Sequence, residues 1–500
     1  MLKNYALAIL ISFLFQGTAF AQTPCENGMA GIYPCNDYDL MSNLPISTLA
    51  TTLGTEEGSD IWGWTDPLNG KEYAIVGTTN STAFVDVSDP LNPIFLGRIE
   101  TANGNTSFWR DVKVYNNYAF IVADSVGDHG MQVFDLTILR NGVDADLTYD
   151  GAQVIRYTGD GGAGDLVIGS CHNIVINESE GMAYLVGCGS ANGGGPIFVD
   201  ITNPTNPTTL GDYTTAGYTH DAQVVTYNGP DTDHTGKQIY IGSNGNTDKV
   251  VILDVTNKAN VLPINSFTYP QTAYAHQGWF TEDQRYFVLG DEVDEQSFGN
   301  NTRTLVFDMI DLDADFSNTA LLNTYMGPTL AIDHNGYVKG DKFYLANYRA
   351  GMRVLDVPTL ISSNNTASEI GYFDTYPSSN SANFNGAWSI YPYFASGNII
   401  ISDIERGLFV VRQSNTLSTI QYDETGSFSL SPNPTSSVSV IKSNSNSKIN
   451  SVQIYNILGQ KVYENNNINT NEFVLPVNNY AKGLFLIKIN HSKTKKLVIK

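Results

Sequence analysis

Apolar residues occur along the chain in short runs broken by Gly, Asn, Asp and Pro, with no long helical stripe. Runs such as YAFIVAD and KFYLANY alternate or stay apolar over five to seven residues, the pattern of strands packed in sheets. The runs group into a repeat: a polar start, an apolar strand, a turn, a second strand ending in a small or acidic residue, and a third ending V-D-V/I/L. Seven copies are readable, at Asp60–Val87, Trp109–Leu136, Cys171–Ile201, His220–Val255, His276–Met309, Asp333–Val357 and Asn385–Val411. A more variable fourth strand follows several copies, in NPIFLGRI, NPTTLGDY, VLPINSF, LLNTYM and ASEIGYF. Four short strands recurring about every 45 to 60 residues predict an all-β fold, a seven-bladed β-propeller. The last copy lacks a following strand. LPISTLATTLG (Leu44–Gly54) resembles the missing one, and the expectation is that it closes the ring from the N-terminal side.

Both ends of the chain depart from the repeat. Met1–Ala21 has Lys3, an apolar run and Ala19-Phe20-Ala21, the organisation of a secretory signal peptide. The run is short for a membrane span, and no later stretch approaches 18 apolar residues. After Arg412 the composition changes. A polar linker covers residues 413–427, and residues 428–500 are rich in Asn, Ser and Lys. The expected organisation is therefore a signal peptide (1–21), a propeller (22–412), a linker (413–427) and a C-terminal domain (428–500).

Charge excludes one class of partner. Fifty acidic residues against 27 basic give a net charge of −23, the wrong sign for a nucleic-acid phosphate backbone. Nine of the basic residues lie after position 440, so the repeat region is more acidic than the average. Four cysteines in an exported chain fall into two local pairs, Cys25 with Cys35 and Cys171 with Cys188, and both are expected to be disulfides; a thiolate metal site is the alternative.

DIWGWTDPLNGKEYAIVG, FVDVSDPLNP, WRDVKVY, HGMQVFDL, YTHDAQVV, HQGWFTEDQRYFVLGDE, AIDHNGYVKG and ANYRAGMRVLD resemble the choice-of-anchor B family of secreted LVIVD-repeat proteins, over about Cys25 to Val411. The resemblance implies a propeller-like repeat fold and surface or extracellular placement, and no particular reaction. FSLSPNPTSSVSV, VQIYNILGQKVYE, YAKGLFLIKI and the terminal KKLVIK resemble the type A C-terminal sorting domain of type IX secretion, found in Bacteroidetes, with Phe485 where that family often has Tyr. This second resemblance implies a small Ig-like β-sandwich read by an outer-membrane translocon, after signal-peptide export to the periplasm.

Candidate chemistry follows from the repeat register. Strand starts in a propeller converge on its axis, and they carry Trp62, Arg110, His172, His220, His276 and His334. Four of the seven histidines thus share one register. Ends of the second strands add Asp124, Asp291, Glu292 and Asp403 on the same face, and a following loop adds Arg349. The imidazoles His172, His220, His276 and His334 suit a transition metal, and the carboxylates alone would suit calcium. Arg110 and Arg349, with Asp124, Asp291, Glu292 and Asp403, are the candidate ligand-binding groups, the arginines for an anionic moiety. The competing reading is bracing: strand-start histidines can hydrogen-bond across blades with no ligand present. Residues following each histidine (Asn173, Asp221, Gln277, Asn335) alternate to the other side of the strand and are expected to orient neighbouring blades. The acidic loops DSVGDHG, DEVDEQSFGNN and DLDADFSN lack EF-hand spacing and read as solvated turns. Trp62, Trp64, Trp279 and Trp388 read as core residues or as ring-stacking platforms. HExxH, GxSxG and Walker motifs are absent. The functional expectation is a surface propeller binding a ligand, glycan or protein partner through a His/carboxylate face holding a divalent metal. The alternative is a metal-dependent extracellular hydrolase or lyase using the same face.

Overall fold

The computed structural model describes the chain apart from residues 1–21, 51–55, 142–147, 162–165, 316–320, 364–366, 415–427, 444–447, 457–459, 476, 478–479 and 491–492. The signal-peptide segment therefore lies outside the described residues. Two compact units divide the chain, Met1–Ser414 and Asn415–Lys500.

The first unit contains seven antiparallel sheets built on four strands each, among the described residues. Their innermost strands are Gly58–Thr65, Arg110–Tyr115, Asn173–Asn177, Asp221–Thr226, Ala275–Phe280, Gly336–Lys339 and Ala387–Tyr391, here defining blades one to seven. Each inner strand neighbours that of the next blade, and the seventh neighbours the first, so the ring is closed. The unit is a seven-bladed β-propeller.

Packing follows from the strand sequences. Second and third strands of a blade are covered on both faces, which is why Glu72–Thr78 and Ser81–Asp86 are buried from end to end. Seven apolar clusters fill the seven gaps between successive blades. Phe84 and Phe134 stack at 4.7 Å between blades one and two, and Ile400, Val410, Ile61 and Val76 seal the seam between blades seven and one. Each such side chain contributes about 1.5–3 kcal/mol on burial.

Ring closure comes from the N-terminal side, but not from the expected segment. The outer strand of blade seven is Tyr38–Leu44, pairing antiparallel with Gly407–Gln413. Pro45 follows, lacks the N–H a ladder needs, and caps the single helical turn Ile46–Leu49. Leu44–Gly54 therefore contributes only its first residue to the sheet, and residues 51–55 lie outside the described set. Upstream, a hairpin of Met29–Ala30 and Tyr33–Asn36 extends blade six beyond Glu369–Phe373. The disulfide Cys25–Cys35 ties this hairpin to the segment before it.

The second unit has a three-stranded sheet (Phe428–Ser431, Ser439–Ser443, Glu472–Leu475) and a four-stranded sheet (Val452–Asn456, Lys461–Asn465, Gly483–Ile489, Lys493–Ile499). Phe428, Ile441 and Leu475 of the first share one core with Ile454, Ile487 and Leu497 of the second, making a small β-sandwich. No helix among the described residues is long and apolar enough to cross a membrane.

Deleting residues 38–44 should expose the Gly407–Gln413 edge and the apolar seam beneath it. Size-exclusion chromatography with light scattering should show a shift to higher mass relative to the full chain. Unchanged elution would count against closure by this strand.

Candidate axial metal centre

Each inner strand begins at the axis with a pair of residues whose side chains diverge. The second member of the pair stitches blades together. Asp111 accepts from Ile174 N at 2.9 Å, Asn173 donates to Asp221 at 2.8 Å, and Gln277 accepts from Gly336 N at 2.9 Å. Asn335 bridges Ser389 at 3.2 Å and Asp60 at 3.3 Å, and the buried Lys113 reaches Asp60 at 3.4 Å.

The first member carries the chemistry. His172, His220, His276 and His334 form a continuous arc, with successive ring centroids 4.1, 4.3 and 4.3 Å apart. His220 Nδ1 faces the His276 carbonyl at 3.3 Å, and His334 Nδ1 faces the Trp388 carbonyl. A carbonyl can only accept, so both Nδ1 atoms carry the proton and both Nε2 atoms present a lone pair. Neither nitrogen of His276 has a hydrogen-bond partner, although the residue is almost fully buried. Glu292 lies opposite, 3.6 Å from His276 Nε2 and 3.7 Å from His334 Nε2. His220, His276 and Glu292 offer ligand atoms all within 4.8 Å of one another. The arc lines a cavity of about 20 Å³, with Asp60, Asp111, Asp221 and Trp388 among its walls. That volume admits one ion or one water, not an organic substrate.

Burial keeps three of the imidazoles neutral. Burial and mutual repulsion hold His220 and His276 well below the usual histidine range, and burial takes His334 down to about 3. Burial pushes Glu292 up to about 7 against the hydrogen bond donated by Tyr348 Oη at 2.9 Å. Tyr348 sits at φ 30°, a strained value for a side chain of this size, held because its carbonyl also accepts from Ala387 N at 2.9 Å. Two neutral imidazole nitrogens and one carboxylate form a donor set suited to zinc, manganese or iron.

The other sequence candidates divide. Asp124 joins the arc, accepting from His172 Nδ1 at 3.0 Å; burial disfavours its charge, but the His172 hydrogen bond and charge outweigh this and leave it below the usual carboxylate range. Asp291 is occupied by Tyr269 Oη, Ala273 N and Tyr274 N at 2.8–2.9 Å. Asp403 accepts from Glu405 N and Arg406 N and closes its own turn. Arg110 lines the cavity, yet it is buried and its guanidinium serves Thr78 O at 3.0 Å and Thr101 Oγ1 at 2.7 Å. Arg349 is bound to Asn385 and to Ser381 at 2.6 Å, away from the arc's lining. Trp62 does not share the histidine register; Asp60 stands at the cavity wall instead. Trp62 and Trp279 line a separate cavity of about 160 Å³ further along the channel, Trp64 is core, and Trp388 meets His334 edge-on at 4.9 Å. Tyr348 and Trp109 also border the site, and their only signal in the sequence is position, after a second strand and before an inner strand.

A second His/carboxylate trio, Asp231, His234 and Asp313, is internally satisfied. Lys237 Nζ lies 3.4 Å from His234 Nδ1, which leaves Nε2 to donate to Asp313 at 2.9 Å. It reads as a hydrogen-bond latch between blades four and five.

Two family models match segments of the chain. Residues 70–101, 109–133 and 191–215 match the LVIVD repeat, and residues 429–500 match the secretion system C-terminal sorting domain. The β-propeller thus carries LVIVD repeats, and the chain ends in a type IX sorting domain, which implies a secreted or cell-surface protein. Among solved structures it is similar to the C-terminal WD40 domain of Sif2, at 9% identity and a TM-score of 0.44, over 71% of this chain and 96% of that one. It is also similar to the Myceliophteria thermophila Cps50 (Swd1) beta-propeller domain, at 9% identity and a TM-score of 0.43, over 73% and 99%. These low scores carry no argument about function. No curated protein matches the chain.

The disulfide Cys171–Cys188 closes a loop of 17 residues directly beside His172. Replacing both cysteines by Ser should cost about 3 kcal/mol by the chain-entropy estimate. Urea unfolding of the oxidised wild type against the double variant checks this, and equal midpoints would contradict it.

Proposed function

We propose that the protein is an extracellular or surface-bound propeller that holds one divalent transition metal on His220, His276 and Glu292 and binds a ligand through the face around it. The observation that carries this reading is the buried arc in which Nδ1 of His220 and of His334 meets a carbonyl of the next blade while Nε2 of His276 and of His334 faces the one carboxylate of Glu292. Bracing alone would account for the Nδ1 contacts. It leaves the buried Nε2 of His276 without a partner, at a cost of about 1–3 kcal/mol. His334 and His172 flank the trio and complete or support the shell. A metal there would serve as a Lewis-acidic anchor for an oxygen or nitrogen of the ligand. Export is read as two steps, an N-terminal signal followed by the type IX translocon acting on the tail, in agreement with the choice-of-anchor B resemblance.

Elemental analysis of protein purified without chelator or His tag should find near one equivalent of a transition metal. His220→Ala/His276→Ala should lower affinity by more than about 100-fold, since even outer-shell changes cost 10- to 100-fold. Glu292→Gln, which keeps shape and bracing, should weaken binding with an unchanged melting temperature of the metal-free protein. Absence of metal and of uptake on titration with Zn²⁺ or Mn²⁺ would sink the reading.

Acid should release the metal. Glu292, at about 7, must lose its proton to bind, so affinity should fall about tenfold per unit as pH drops below 7. Competition with a colorimetric zinc chelator between pH 5 and 8 measures this slope, and a flat profile would exclude Glu292 as a ligand.

A further inference from the structure

Further along the channel the inner strands enclose a second cavity, of about 160 Å³ against about 20 Å³ at the arc. Its walls differ in kind. Trp62, Trp279 and Tyr337, from blades one, five and six, make one side. Tyr337 meets both indoles edge-on, Trp279 at 5.0 Å and Trp62 at 5.7 Å, so the aromatic wall is set before any ligand arrives. Val114, Val175 and Val224, from blades two to four, make the other side.

Several polar groups on the lining are free. Gln223 Oε1 accepts from Phe280 N at 2.8 Å, and Gln277 Oε1 accepts from Gly336 N at 2.9 Å. These bonds fix which end of each amide is the oxygen. Neither Nε2 has a hydrogen-bond partner among the described residues, although Gln277 is only 2% exposed. Glu178 stands exposed at the rim, and its carboxylate likewise has no hydrogen bond or ion pair among the described residues.

Charge decides what fits. Lys113 Nζ lies 4.7 Å over the Trp62 ring, so a cationic ligand would meet an ammonium on the aromatic wall. An anion would meet Glu178 and Asp221, which both line the cavity. A wholly apolar ring would bury the two amide nitrogens unpaired. We propose that this cavity binds one neutral sugar ring, with its C–H face on Trp279 and its hydroxyls on Gln223 Nε2, Gln277 Nε2 and the Glu178 carboxylate. Size agrees, since the cavity holds about five waters at ~30 Å³ each, the room that a single ring displaces. Apolar walls with a few convergent polar groups are the usual make-up of a small-molecule site. The site is separate from the histidine arc and does not rest on a metal there.

The test is saturation-transfer NMR of the full chain with D-glucose, D-galactose and D-mannose as probes. At least one should bind saturably in the millimolar range, where a single ring with a few contacts falls. Trp279→Ala should weaken that binding about tenfold or more. Glu178→Ala, at an exposed position, should weaken it by a similar factor with an unchanged melting temperature, and it decides the matter if Trp279→Ala does not fold. His220→Ala/His276→Ala should leave sugar binding intact. No saturable binding of the three sugars, or binding that survives both cavity variants, would overturn the proposal. Loss of binding in the histidine variant would also overturn it, by placing the sugar on the arc. So would binding of tetramethylammonium in place of the sugars, which would make the aromatic wall a cation cage.

Discussion

Seven strands that start at one axis bury their polar ends together, and the protein depends on satisfying them. It does so with side-chain stitches running blade to blade: Lys113 to Asp60, Asp111 to Ile174 N, Asn173 to Asp221, Gln223 to Phe280 N, Gln277 to Gly336 N, and Asn335 to Ser389 and Asp60. The interblade apolar clusters supply the bulk of the stabilisation. The stitches fix how far each strand start stands from the axis, which apolar packing alone would leave loose. Every feature of the candidate site inherits that spacing.

With the strand starts fixed, the residue beside each stitch points into a space sized for a single ion or water. His220 and His334 do two jobs at once, bracing through Nδ1 and leaving Nε2 bare, so bracing and metal binding are not exclusive accounts of the arc. Confinement also explains the electrostatics. Imidazoles about 4 Å apart cannot all be charged, so burial and mutual repulsion keep the lone pairs of His220, His276 and His334 available at neutral pH. Glu292 supplies the one carboxylate and is oriented by a strained tyrosine on blade six.

The repeat was legible because strand alternation and the V-D-V ending recur with the blade, and register then placed His172, His220, His276 and His334 together. Trp62 was misplaced because blade one enters its inner strand through an irregular pairing between Gly58 and Ile61, which shifts the count by residues a pattern cannot see. The closing strand was misplaced for a related reason. DYDLMSNL has weaker alternation than LPISTLATTLG, and what selects it is pairing with Gly407–Gln413, a partner hundreds of residues away. The acidic turn Asp291–Glu295 looked solvated because acids usually are. Its burial follows from the packing of blade six beside blade five, where Asp333 arrives from a different repeat.

Closure by a strand from the opposite end of the propeller acts as a length check on the protein. Asp37 and Gln413, which meet at the closing seam, are 376 residues apart in sequence. A chain that stops short of Gln413 keeps an incomplete seventh blade and two unpaired edges, however well its earlier blades have formed. The sorting domain at 429–500 lies just beyond that point. A chain that runs from Tyr38 through to the sorting domain therefore contains every strand the ring needs, whereas one that stops before Gln413 lacks both its last partner strand and the sorting domain.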